Sequence, residues 1–197
     1  MVAKNAGATR DKGSPVFDTN HSCLRGVVRD CGVEALGADF VEEETRGTVE
    51  GSRRRPADVM LHLHTHTVAI DTTIVYVQTP TNCAIQAARP GAPVMEAEKE
   101  KRRKYAGTQF KDKSTRFVPF AVDDFGHIGD AGWALLEQLA TYGAARNRCK
   151  DFTKGRTESE MRSFYLASWQ QRIAHVVRSS VDRSMQRRLA LSRQLTE

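Results

Sequence analysis

Aromatic residues make up 7% of the 197 positions, too few to advertise a stacking platform for single-stranded nucleic acid. The four cysteines, Cys23, Cys31, Cys83 and Cys149, lie far apart and form no CxxC pair. That spacing argues against a disulfide framework and against a cysteine zinc site, and it suits reduced thiols of an intracellular protein. No apolar run is long enough to span a bilayer, and the opening MVAKNAGATRDKGSP has no apolar h-region. The expectation is a soluble protein without a membrane partner, with nucleus and cytoplasm both open. Internal repeats are absent.

What the chain does have is length for a single domain with a real core, and a surplus of positive charge. Lysine and arginine number 30 against 24 acids, a formal charge of +6, which suits a polyanionic partner. Residues 1–20 read as a polar, mobile lead-in, 21–145 as the core, and 146–197 as a linker followed by a basic helix. Leu24, Val27, Val28 and Cys31 follow helical spacing, with Gly32 or Gly37 as the stop. DFVEEET at 39–45 is a short edge strand, and TPTNCAIQAARPGAP, with three prolines, is a loop. EAEKEKRRK sits within a charged helix over 94–106, RFVPFAV at 116–122 is an edge strand because of Pro119, and 130–142 is an amphipathic helix. Residues 158–191 form a long basic helix whose apolar stripe runs through Met161, Phe164, Tyr165, Ile173, Val176, Val177, Val181, Met185 and Leu189. The order predicts an α/β sandwich around a small mixed sheet.

The centre of this arrangement is RPADVMLHLHTHTVAIDTTIVY at 55–76, two strands joined by a short polar turn. Asp58 opens the first strand and Asp71 lies inside the β-branched second. A half-buried carboxylate needs a cation, a metal or a proton. Antiparallel pairing brings the two acids to one sheet end, where they could share Mg²⁺ or Mn²⁺. The plainer reading has Asp58 bonding local amides and Asp71 paired with an arginine. Ala97, Lys101, Lys104 and Tyr105 share one helix face, from which a lysine could reach the acids; the plainer reading is a solvated face. His62, His64 and His66 alternate as zinc ligands on a strand would, yet they fall where the chain must turn, and no fourth ligand accompanies them. His21 reads as a surface or core histidine. SRRR at 52–55, EKEKRRK and the last helix could flank a phosphate backbone.

Together these pieces resemble the restriction-like endonuclease domain, of PD-(D/E)xK type, at the C-terminus of LINE-type (non-LTR) retrotransposon polyproteins. The resembling segments are RPADV at 55–59, AIDTTIV around Asp71, A-xxx-K-xx-K-Y at Ala97, Lys101, Lys104 and Tyr105, FVPFAVDDFGHIGDAGWALLEQLA at 117–140, and the helix around Trp169. The resemblance implies a restriction-endonuclease-like fold and a metal-dependent endonuclease that nicks target DNA to free a 3′-hydroxyl. It assigns Asp58 and Asp71 to Mg²⁺ (or Mn²⁺), with Lys101 as the helix-borne lysine and Lys104 beside it. DNA is the implied partner, with RNA or a reverse transcriptase as further ones and no small-molecule substrate. Two features depart from the pattern. Ala57 separates Pro56 from Asp58, and the usual acid-x-lysine pair on the second strand is Asp71-Thr72-Thr73, which shifts the lysine role to Lys101. The 197 residues hold no reverse-transcriptase domain and no zinc knuckle, so a fragment, a domesticated copy and a decayed remnant all fit. The alternatives are a catalytically inactive nucleic-acid-binding remnant of the same fold, and a basic scaffold whose last helix docks a partner helix.

Overall fold

The computed structural model describes residues 15–43, 48–50, 57–147 and 155–194. The basic run at 52–55, Pro56 and Cys149 lie outside the described residues. The first helix, α1 (Pro15–Leu36), starts inside the stretch expected as a lead-in. It carries Leu24, Val28, Cys31 and Ala35 on one stripe, all buried. Of the two glycines that could end it, Gly37 does so, at φ 107°, a backbone state that favours glycine. Gly32 stays within the helix for a different reason. A Cβ there would lie 2.7 Å from Leu61 Cδ2, so its absence lets α1 close onto the sheet.

Four strands follow: β1 (Val41–Glu43), β2 (Val59–His62), β3 (Thr67–Val75) and β4 (Arg116–Asp123). They lie in the order β1-β2-β3-β4, with the first two pairings antiparallel and β3–β4 parallel. A parallel neighbour requires a crossover, which α2 (Pro80–Ala88) and α3 (Ala92–Tyr105) provide. The strand holding Pro119 is an edge, as its missing N–H demands. The glutamate-bearing β1 is the other edge, with Glu42 and Glu43 exposed.

The stretch after β3 also departs from expectation. The proline-containing run after β3 holds a helix, α2, instead of a loop. Pro80 stands at the start of that helix, where its missing N–H costs nothing, and the Thr79 side chain accepts from Asn82 N–H at 3.3 Å. Gly91, at φ 79°, then turns the chain into α3, which opens Ala92-Pro93.

Both faces of the sheet are covered. Val59, Leu61, Val68, Ile70, Phe120 and Val122 pack on one side against α1, α4 (Asp130–Arg146) and α5 (Glu158–Gln194). On the other side Val75 and Ala121 meet Val94 and Ala97 of α3, while Met60 and Ala69 meet Ala57 and Phe110. The molecule is a mixed α/β structure with a small four-stranded mixed sheet flanked by helices. In α5 the buried apolar residues recur every four: Met161, Tyr165, Trp169, Ile173 and Val177. Trp169, absent from the predicted stripe, is fully buried and donates to Glu34 Oε2 at 2.7 Å. Phe164 and Met185 from that stripe are exposed instead, and the Leu189 side chain is outside the described residues. A scaffold reading requires the whole stripe to be exposed, yet most of its first part is core. No helix among the described residues is long and apolar enough to cross a membrane.

Candidate metal centre

The site forms where β3 outruns β2. Val59 pairs with Ile70, and one step further the Asp58 N–H donates to the Ile70 carbonyl at 2.7 Å, which sets Asp58 beside Asp71. Past the end of β2 the next β3 amide, that of Thr72, is met by a side chain. Asp58 substitutes its side chain: Oδ2 accepts from the Thr72 N–H at 2.6 Å and from Thr72 Oγ1 at 2.8 Å. The acids therefore meet at one sheet end, as the hairpin predicts. The amide that Asp58 bonds is not the local one its plainer reading expects, but that of Thr72 on the neighbouring strand.

Asp71 is buried because β3 is covered on both faces, and its residue exposure is 6%. Its cation is Lys101 and not an arginine: Lys101 Nζ donates to Asp71 Oδ1 at 2.8 Å. Helix periodicity delivers this lysine, since Val94 and Ala97 seat α3 on Val75 and Ala121, and Lys101 follows on the same face. Asp71 Oδ2 is buried without a hydrogen bond of ordinary geometry. A buried carboxylate oxygen so weakly partnered is costly, about 1–3 kcal/mol or more for a charged group, and it invites a cation. Tyr105 approaches the same carboxylate. Burial first, and then the negative charge of Asp71, raise its phenol so that it stays protonated. Its ring stacks on Phe117 at 4.2 Å between centroids. Lys104 takes a different position, exposed, with Nζ 5.0 Å from the Tyr105 ring centre. No ion pair joins Lys104 to either acid among the described residues.

The residue missed from sequence is His21. It stands three before Leu24 and seven before Val28, so it shares the sheet-facing stripe of α1, and that spacing was the available signal. His21 Nε2 lies 3.1 Å from Asp58 Oδ2, 3.1 Å from the Thr72 carbonyl and 3.2 Å from Thr72 Oγ1. The hydrogen bond to Asp58 raises the imidazole pKa, against an opposing effect of burial. For Asp58 burial pushes upward, but the His21 bond and charge, with the Thr72 bonds, outweigh it and hold the carboxyl below its ordinary range.

His21, Asp58 and Asp71 each offer a ligand atom, and these atoms lie within 4.8 Å of one another. Among the described residues this is the one such group, and it can hold a metal ion. Two carboxylates, one of them buried, and one imidazole suit a divalent cation completed by water. The hairpin histidines do not assemble. His62 pairs with Glu42 at 3.4 Å, His64 meets Phe40 edge-on, and His66 bonds Thr65 at 2.8 Å. No protein-family model matches the chain, and no curated protein matches it either.

Proposed function

We propose that this protein is a metal-dependent DNA endonuclease of the restriction-like PD-(D/E)xK type, of retroelement origin, which nicks DNA by phosphodiester hydrolysis. One observation carries the reading: Asp58, Asp71 and Lys101, brought from two strands and a helix, converge at one sheet end. The small mixed sheet with helices on both faces agrees with the fold that the resemblance implies. The net charge of +6 suits a DNA or RNA partner, and a reverse transcriptase as a further partner follows from the resemblance alone.

In this reading Asp58 and Asp71 hold Mg²⁺ or Mn²⁺. When bound, that cation polarises the phosphate and lowers the pKa of water. The protein's own residues position and neutralise. Thr72 fixes the Asp58 carboxylate by two hydrogen bonds, so one oxygen keeps its direction. Lys101 brings the positive charge that Thr73 cannot, beside the phosphate oxygens on which negative charge develops. Tyr105 stays a neutral phenol against Asp71 and limits water on that side. Water adds to phosphorus, the bond from phosphorus to the 3′-oxygen breaks, and that oxygen takes a proton. The products are a 3′-hydroxyl and a 5′-phosphate.

A second reading has its own support. Lys101 occupies Asp71 Oδ1 and Thr72 occupies Asp58 Oδ2, so each acid is partly satisfied without a metal. That suits an inactive nucleic-acid-binding remnant. Supercoiled plasmid with Mg²⁺ or Mn²⁺ separates the two. The nuclease reading expects open circles from wild type and a loss of at least roughly 100-fold with Asp71→Ala. Equal nicking by both would remove the active-site assignment, and DNA binding without nicking under either metal would establish the remnant.

A further inference from the structure

We infer that His21 Nε2 is a direct third ligand of the cation held by Asp58 and Asp71, and that this imidazole makes the centre favour Mn²⁺ over Mg²⁺. The inference rests on the reading of the two aspartates as a metal-holding pair and adds the identity of the ion. Nothing in the hairpin itself supplies a nitrogen, so the ion class is decided by α1.

Three observations converge on it. First, Leu24 and Val28 bury the stripe that His21 belongs to, so the helix that anchors the core also aims the ring at the sheet end. Second, the Nε2 surroundings are all oxygen: Asp58 Oδ2 at 3.1 Å, the Thr72 carbonyl at 3.1 Å and Thr72 Oγ1 at 3.2 Å. Neighbouring ligands of an octahedral ion with bonds near 2.1 Å stand about 3 Å apart. The Nε2–Oδ2 separation therefore suits two adjacent ligands once a cation replaces the shared proton. Third, Asp71 is buried, its Oδ2 lacks a hydrogen bond of ordinary geometry, and its carboxylate completes the group whose ligand atoms lie within 4.8 Å of each other.

Donor chemistry then selects the ion. Mg²⁺ is hard, demands near-ideal oxygen octahedra and gives up water reluctantly. First-row divalent ions accept imidazole more readily, and Mn²⁺ also keeps a strong preference for carboxylate and water. One nitrogen with two carboxylates lies on the Mn²⁺ side of that divide. The competing role is that of a positioning residue: His21 orients Asp58 by a hydrogen bond and never touches the ion. The two roles differ in whether nitrogen is bonded to the metal.

The test uses the full chain, stripped with chelator and titrated with Mn²⁺ under electron paramagnetic resonance. The expected result is one bound Mn²⁺ with a nitrogen hyperfine coupling in the pulsed spectrum, and the coupling changes to the ¹⁵N pattern when the protein carries ¹⁵N-histidine. Displacement of Mn²⁺ is expected to need an excess of Mg²⁺ of roughly tenfold or more. In His21→Asn the coupling disappears and Mn²⁺ affinity falls on the order of tenfold, with circular dichroism confirming the fold. His21→Gln serves as a second variant, and the labelled wild type needs no variant. Bound Mn²⁺ without histidine nitrogen coupling, or a Mn²⁺/Mg²⁺ preference unchanged by His21→Asn, overturns the inference and leaves the two-aspartate reading standing. Failure of the wild type to bind Mn²⁺ overturns both.

Discussion

Asp71 and Lys101 meet where a strand covered on both faces passes under a charged helix. The Asp71 side chain is 9% exposed and that of Lys101 21%, so the pair is shielded but not sealed. Removing the lysine alone strands a buried carboxylate. Lys101→Met is expected to cost about 1–3 kcal/mol, below the figure for a fully buried pair because Lys101 retains some solvent. The double variant Lys101→Met with Asp71→Asn should recover most of that loss, since no charge is then left unpaired. Urea midpoints of the four proteins check this, and equal destabilisation by single and double variants would show that the pair is not coupled. The residues of this site were unequally legible. Both acids and Lys101 stand out by type and spacing. His21 is marked only by its place on the buried stripe of α1, because its value comes from a sheet end 51 residues away in the chain, at the Thr72 carbonyl.

Helix ends and helix faces decide the next scale. Glu98 of α3 accepts from the Ala131 N–H at 3.1 Å and so caps α4 through its side chain. Burial raises its pKa, more than the backbone bonds to Ala131 and Gly132 lower it. The sign follows from linkage. With the folded pKa above the unfolded one, the unfolded chain holds fewer protons in the window between them, so stability falls as pH rises through that window. Glu98→Gln keeps the acceptor and removes the charge. It should be at least as stable as wild type at pH 7–8, and the advantage should vanish on acidification below the ordinary glutamate range. Denaturation midpoints at several pH values test it, and a variant less stable at every pH would refute the argument. On α5, Trp169 fills the core and donates to Glu34, while Arg172 pairs with Glu34 and Asp30. Trp169→Ala is expected to cost about 3–5 kcal/mol, from the cavity it leaves and the acceptor it orphans. A loss under 1 kcal/mol by thermal or chemical melting would mean that α5 is not part of the core.

At the scale of the whole molecule, the +6 charge predicts DNA affinity that drops steeply with salt. The slope of log K against log salt should be about −0.9 for each phosphate contact. Under the proposed function Asp71→Asn should keep that slope while losing nicking, because in that reading the acid serves the metal and not the backbone contacts. Fluorescence anisotropy over a salt series measures it, and a flat series would remove the nucleic-acid partner. The arrangement of layers was readable in advance from periodicity: two-residue alternation on the hairpin, helical spacing in 94–106, and Pro119 marking an edge. The helix at Pro80–Ala88 was not, since its prolines are helix-starting residues only once the chain has turned to start a helix there.

Local rules thus determined what lies close in the chain. They decided the hairpin, its antiparallel acids, the lysine face of α3 and the absence of a shared face for His62, His64 and His66, all set by backbone periods acting over a few residues. Tertiary structure alone decided the rest. Burial of Asp71 depends on helices covering both faces of β3. Which Asp71 oxygen stays outside the ion pair depends on Lys101 taking the other one. The nitrogen at the centre depends on Gly32 letting α1 settle against Leu61, so that His21 reaches Asp58. Those are contacts between segments distant in sequence, and their distances follow from packing rather than from any local period.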